Sequence, residues 1–437
     1  PFQDSSKMMS RFIVAAILVL SLPIAALAQT DTLSTREKIA DLRDQIIPLR
    51  TVDPAETSFS DLMPLKQDIG NRQIVILGEP THGDGTAFRA KSRLVKFLHQ
   101  EMDFDVLAFE SGLYDLRLAT ERASSPDGYL RAATSTLSRP WAQSKQARPA
   151  LRYYAETQAT ESPLHLAGID GALRPPNDSI FVARLKNHLQ NRNEWATVVE
   201  GTSFEETLRT QLTNPLALSR DTAAYRQFMS RVDRLIQPLR NASSADGSSE
   251  NRFWALMLEN VKAQVQTGFQ RSYEPRNRQM AQNLVWLAEE VYPDGKIIVW
   301  IASSHGVRNL GSIERINAPR SYEGQESMGD VLVEAFDGGI YTLGITAHDG
   351  EFGAFYWDDE APKPIQEPRS GSIEALLGRL SPDYSILDFT NVPRSSWISS
   401  EQVARPLGYE EMRADWTQVM DGLLFIRTMH PNTRVER

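Results

Sequence analysis

Residues 74–83, IVILGEPTHG, constrain the fold more than any other stretch of the chain. Four aliphatic side chains in succession, Ile74 to Leu77, read as a buried strand. The run ends at Gly78, where the backbone is free to turn, and Glu79 and His82 follow where strand opens into loop. In parallel α/β sheets that place, outside the carboxyl ends of the strands, is where ligands bind. A plain strand-end turn with a solvated imidazole has the same local pattern, so the rest of the chain must discriminate.

Downstream, strand and helix patterns alternate. After the strand at 74–79 come a helix over about 86–101, a strand at 105–110, a helix over about 112–123 and a strand at 164–170. Such alternation predicts βαβ units, hence an α/β fold with a mainly parallel central sheet flanked by helices. Between about 178 and 292 apolar residues recur at spacings of three and four with no strand pattern, which predicts a large helical insertion. Strand patterns resume at 296–303, 339–347 and 422–429. Before the first strand, TREKIADLRDQIIPL reads as one short helix capped by Ser34-Thr35, and SFSDLMPLKQDI as a second. Residues 29–430 are expected to form a single domain.

Polar residues fall at the strand ends. Glu79 and His82 follow the first strand, Glu110 ends the second, Asp170 the third, His305 follows the fourth, and His348-Asp349 the fifth. A parallel sheet brings its carboxyl ends to one side, so these residues are expected to share one crevice. Imidazoles beside carboxylates suit hydrolysis: a neutral imidazole deprotonates water near pH 7, and a carboxylate fixes its tautomer. The catalytic candidates are therefore His82, Glu79, Glu110 and His305, with Arg89, Asp170 and His348 as substrate-binding candidates. Glu110 at the end of an apolar strand needs a cation if buried, and Arg89 is the expected partner. Each has a structural alternative: Glu79 as a helix cap, Asp170 as a cap on the loop at Gly171, His305 in an ordinary turn, His348 as a solvated loop residue. His99, His165, His188 and His430 have no supporting constellation. No G-x-S-x-G, H-E-x-x-H, Walker or dinucleotide motif occurs, which favours direct attack by water over a covalent serine intermediate.

Composition bounds the setting. Met8-Met9-Ser10-Arg11, the apolar run FIVAAILVLSLPIAALA and the small-x-small triplet Ala26-Leu27-Ala28 form a secretory leader, with Met8 or Met9 as its start and Gln29 as the first mature residue. The expected location is periplasmic or secreted, without a stable membrane anchor after cleavage. The chain has no Cys, so disulfides, thiolate nucleophiles and cysteine-rich zinc sites are excluded. A formal charge of −9, with no basic block, argues against nucleic acid as a partner.

GEPTHGDGTAFRAKSRLVKFL followed by VLAFES resembles the opening of the erythromycin esterase family, through Glu79, Thr81, His82, Gly83, Arg89, Lys91 and Glu110. HLAGID, RNRQMAQNLVWL, IIVWIASSHGVRN and ESMGDVLVEAF continue the resemblance in order over about residues 65–430. It implies a small-molecule ester or lactone substrate, no cofactor and no metal, with the His of the THG motif, His82, as general base on water. Two departures stand out. Where relatives carry H-N-x-H after the fourth strand, this chain has Ala302-Ser303-Ser304-His305, and the usual Arg-Asp before M-A-x-N is Arg276-Asn277. Erythromycin itself is therefore not the expected substrate. The alternatives are a non-catalytic binding protein on the same fold, and a metal-dependent hydrolase using Glu79, His82, Glu110 and His305 as ligands, as in the related Tiki-type proteases.

Overall fold

The computed structural model describes residues 33–435 apart from 191–192, 200–202, 242–247, 318–321, 354–360 and 381. The secretory leader expected at 1–28 lies outside the described residues.

Among the described residues twelve strands follow in chain order: β1 (Ile46–Leu49), β2 (Ile74–Glu79), β3 (Val106–Gly112), β4 (His165–Asp170), β5 (Ile297–Ala302), β6 (Glu314–Arg315), β7 (Ile340–Phe352), β8 (Lys363–Pro364), β9 (Tyr384–Asp388), β10 (Gln402–Ala404), β11 (Met412–Ala414) and β12 (Gly422–Met429). The central sheet has the order β1-β9-β12-β7-β2-β5-β3-β4, with β8 paired to β7, and β10-β11-β6 form a small second sheet. From β12 to β4 all neighbours are parallel, whereas β9 and β1 add an antiparallel edge. The fold is thus α/β with a mainly parallel sheet.

The aliphatic run of β2 divides between two cores. Val75 and Leu77 join Leu107, Phe109, Ile298 and Trp300 beneath the helix Gly85–Met102, which contributes Phe88, Leu94 and Val95. Ile74 and Ile76 face the other way with Val106, Ala108, Ile297 and Val299, against Met280, Ala281 and Leu284 of the helix Glu274–Trp286. Burial on both faces is why these strands read as unbroken apolar runs. The two covering helices bracket the carboxyl ends of β2, β5, β3 and β4.

The helical insertion comprises helices from Asn177–Leu189 through Ser248–Gln270, with their own core around Phe181, Val232, Leu235 and Leu258, whereas the helix Glu274–Trp286 that ends the expected insertion packs on the sheet. One expected element divides: the first helix stops at Gln45, and the IIPL attached to it is the edge strand β1, paired with β9. Pro48 is tolerated there because an edge strand has one unpaired side. Gly78 lies within β2 rather than in a turn; a Cβ there would stand 2.7 Å from Oγ of Ser303, so glycine permits the close approach of the segment after β5.

Candidate active site

Adjacent strands β2, β5, β3 and β4 deliver their last residues side by side, with Glu79 opposite Ala302 and Gly112 opposite Asp170. The register of β3 shifts between Phe109 and Gly112, the kind of irregularity that re-aims a side chain, and Glu110 sits within it.

On one side of the crevice Glu79 is fully buried between two partners. One carboxylate oxygen accepts from Nδ1 of His82 at 3.0 Å; the other is held by the ammonium of Lys91, itself fully buried and donating to the Ile301 carbonyl at 3.2 Å. An ionised carboxylate only accepts, so the proton of a neutral His82 is on Nδ1 and the lone pair on Nε2. Burial lowers the pKa of His82 despite the opposing charge of Glu110, which keeps the imidazole neutral at pH 7. Its ring meets Trp141 edge-on at 5.1 Å, and 19 % of the side chain remains exposed.

The loop bearing His82 is clamped by distant segments. Gly353 and Asn432 both donate backbone N–H groups to the Gly83 carbonyl, at 3.0 and 2.7 Å, and Gly408 donates to the Pro80 carbonyl at 3.1 Å. A Cβ on Gly83 would fall 1.6 Å from the Gly353 carbonyl oxygen, so no other residue fits. Asp84, fully buried, accepts from the Thr81 N–H at 2.6 Å and the Tyr409 hydroxyl at 3.0 Å. Burial pushes its carboxyl up to about 7, although both hydrogen bonds oppose the shift.

The other side is built around Arg276, in the first turn of the helix Glu274–Trp286. Its Nη2 donates to Glu110 at 2.8 Å and to Asp170 at 2.7 Å, its Nε to Asp170 at 3.1 Å, and its Nη1 to Nε2 of His305 at 3.2 Å. The second oxygen of Glu110 accepts the Ala302 N–H at 3.1 Å. Burial works to raise the pKa of Glu110, and His305, Arg276 and His82 outweigh it, holding the carboxylate well below its usual range. Nδ1 of His305 donates to Oδ1 of Asn277 at 2.6 Å; that amide is oriented by its Nδ2, which donates to the Glu326 carbonyl at 2.9 Å. His305 is therefore a neutral Nδ1–H tautomer whose Nε2 is an acceptor. Burial and the neighbouring guanidinium hold its pKa at about 4 against Glu110.

Glu79 with His82, and Glu110 with Asp170 and His305, thus gather at the carboxyl ends of adjacent strands. Arg89 does not: it pairs with Asp53 at 3.0 Å, half exposed. Two residues along a helix turn about 200°, so a chain that points Lys91 at β2 points Arg89 away. His348 is also elsewhere, within β7 rather than after it, bonded to Asp349 at 3.1 Å and lining a 480 Å³ cavity with Glu367 and Arg379. The partner of Glu110 is Arg276 in place of Arg89. The sequence signal for it was the pair of buried strand-end acids, Glu110 and Asp170, which need a shared cation, and an Arg opening an amphipathic helix downstream. Lys91 and Asn277 were missed as site residues for the same reason, since their roles depend on contacts between distant elements.

Among the described residues no three His, Cys, Asp or Glu side chains are arranged to hold a metal ion. In this crevice Arg276 already occupies the Glu110 and Asp170 carboxylates and Nε2 of His305, the donor atoms that a cation would take.

The strand ends of this α/β protein gather carboxylates, imidazoles and a guanidinium. The sequence model of the erythromycin esterase family matches residues 99–429, and the chain belongs to that family. It is 26% identical to the putative hydrolase YbfO of Bacillus subtilis (strain 168), over 96% of this chain and 98% of that one. It is 21% identical to erythromycin esterase type II of Escherichia coli, over 88% and 96% of the two chains. The solved structure of a mutant erythromycin esterase EreC in its open conformation superposes with a TM-score of 0.63 at 17% identity, covering 88% of this chain and 98% of that one.

Proposed function

We propose that the crevice hydrolyses a small-molecule ester or lactone by direct attack of water, with His82 as general base. The observation that carries this reading is the orientation of His82: Nδ1 is committed to a buried, charge-compensated Glu79, which leaves Nε2 as the basic atom of a neutral ring. Nε2 takes a proton from water as the oxygen adds to the carbonyl carbon, and Glu79 stabilises the imidazolium that forms. The same proton passes to the departing alkoxide as the tetrahedral intermediate collapses. Lys91 holds Glu79 in place. Ala302 stands where relatives carry an imidazole, so a simple ester or lactone is a better candidate than erythromycin.

A panel of chromogenic esters and lactones tests this on the wild type and on His82→Ala. The substitution is expected to lower kcat by about 10²-fold or more at unchanged melting temperature, the scale of a lost acid–base group. Equal activity in the variant would remove the mechanism, and a wild type inert on every ester would favour a binding protein. We also place the protein in the periplasm or outside the cell, on the strength of the leader sequence. Mass spectrometry of the exported chain should find Gln29 at its start, and a retained leader in the membrane fraction would contradict it.

A further inference from the structure

With His82 as the base, hydrolysis also needs a group that polarises the carbonyl. His305, expected from the sequence to act directly, is poorly placed for that. Its Nδ1–H is spent on Asn277, and its Nε2 accepts from Arg276 rather than donating. It has no hydrogen to offer an oxyanion.

Arg276 does. A guanidinium carries five N–H donors in one plane. The Nε hydrogen goes to Asp170, the two Nη2 hydrogens to Asp170 and Glu110, and one Nη1 hydrogen to His305. Four of five are used, and among the described residues the second Nη1 hydrogen has no acceptor. The plane is fixed from three sides, so this last hydrogen has a set direction. Arg276 keeps 15 % of its side chain exposed. It is tied to His82 through neighbouring strand ends: Glu79, which holds Nδ1 of His82, stands opposite Ala302, whose N–H donates to Glu110, the acceptor of Arg276.

Resting on the hydrolase reading above, we propose that the unassigned Nη1–H of Arg276 is the oxyanion donor, and that Asp170, Glu110 and His305 are the positioning residues that aim it. As water oxygen bonds to the carbonyl carbon, the π pair moves onto the carbonyl oxygen, which accepts the Nη1–H. When the carbonyl re-forms, the bond to the alcohol oxygen breaks, and that oxygen leaves with the proton returned by His82. Acid and alcohol account for ester plus water. A donor held before the reaction costs no reorganisation during it, and such a group is worth about 10²- to 10³-fold in kcat.

The test uses the full chain and two probes: 4-nitrophenyl acetate for turnover, and phenyl methylphosphonate, a monoanionic tetrahedral mimic whose binding needs no chemistry. Wild type should bind the phosphonate. Arg276→Lys keeps the charge between the two carboxylates but loses the fork; it should weaken phosphonate binding at least tenfold and lower kcat about 10²-fold with KM nearly unchanged. Guanidinium ion should restore part of both in Arg276→Ala. If that variant does not fold, Arg276→Lys decides alone. His82→Ala should lose turnover and keep phosphonate affinity, which separates base from donor. Wild type that binds no phosphonate, or Arg276→Lys within twofold of wild type on both probes, overturns the assignment. Phosphonate binding that depends on Arg276 in a protein inert on all esters would uphold the anion-recognising role and remove the hydrolase reading instead.

Discussion

The two imidazoles of the site invite comparison, because each is partly buried beside a strand-end carboxylate and a cation, yet they are wired in opposite senses. At His82 the ring donates to Glu79, and the cation, Lys91, sits behind that carboxylate. At His305 the ring donates to a neutral amide, Asn277, and the cation, Arg276, faces the second nitrogen directly. Burial disfavours a proton on both rings, and at both the attraction of Glu110 exceeds the repulsion of Arg276. What differs is the wiring of the nitrogens: His82 has Nδ1 anchored on a carboxylate, whereas Nε2 of His305 already accepts from Arg276. On the hydrolase reading, residue type alone does not make a general base; what each ring nitrogen already contacts does.

The contrast is most severely tested by stability. Arg276→Met leaves Glu110 and Asp170 buried without their shared counter-ion, and should cost about 3–5 kcal/mol in denaturant unfolding. A loss below about 1 kcal/mol would mean that the two carboxylates are compensated some other way. Activity gives the next largest effect: His82→Gln should lower kcat about 10²-fold. His305→Gln places an amide oxygen near the position of the lost acceptor and should cost roughly a tenth of that. Equal losses would erase the distinction between base and positioning residue.

The smallest effect bears on Asn277. Asn277→Asp puts a carboxylate where the amide accepts from His305, and should raise the imidazole pKa from about 4 by about one unit or more, read by NMR titration. The consequence for folding has a definite sign. In wild type, the unfolded chain binds the His305 proton near pH 6.5 and the folded chain only near 4, so between those values the unfolded state holds more protons. The contribution of this group is fully present above pH 6.5 and lost as pH falls through that window. The variant should narrow the window and flatten the acid limb of the stability profile. An unchanged pKa would place the control of His305 elsewhere.

Local pattern made much of the architecture legible. The strands Ile74–Glu79 and Gly422–Met429 were readable to the residue, because unbroken apolar runs have few other uses. The placement of Glu79, His82, Glu110, Asp170 and His305 at neighbouring strand ends follows from strand direction. What escaped depends on distant partners. The IIPL segment is a strand only because β9 lies beside it, and its residues continue a helical period well enough to be read as helix. Tyr384–Asp388 and the small sheet of β6, β10 and β11 are short strands fixed by pairing rather than by periodicity. Arg89 looked like the partner of Glu110 because it is near in sequence, whereas Arg276 is 166 residues away.

The clamp on the His82 loop bears on how the molecule comes into being. Asn432 reaches back 350 residues to the carbonyl of His82, and joins Gly353 on the carbonyl of Gly83. A growing chain that has released only its first 300 or so residues can pair β2, β5, β3 and β4, because those strands are complete by Ala302. It cannot yet fasten the loop that carries the imidazole. The scaffold can therefore form before the loop that carries His82 is fastened, because the fastening waits on segments made later in synthesis.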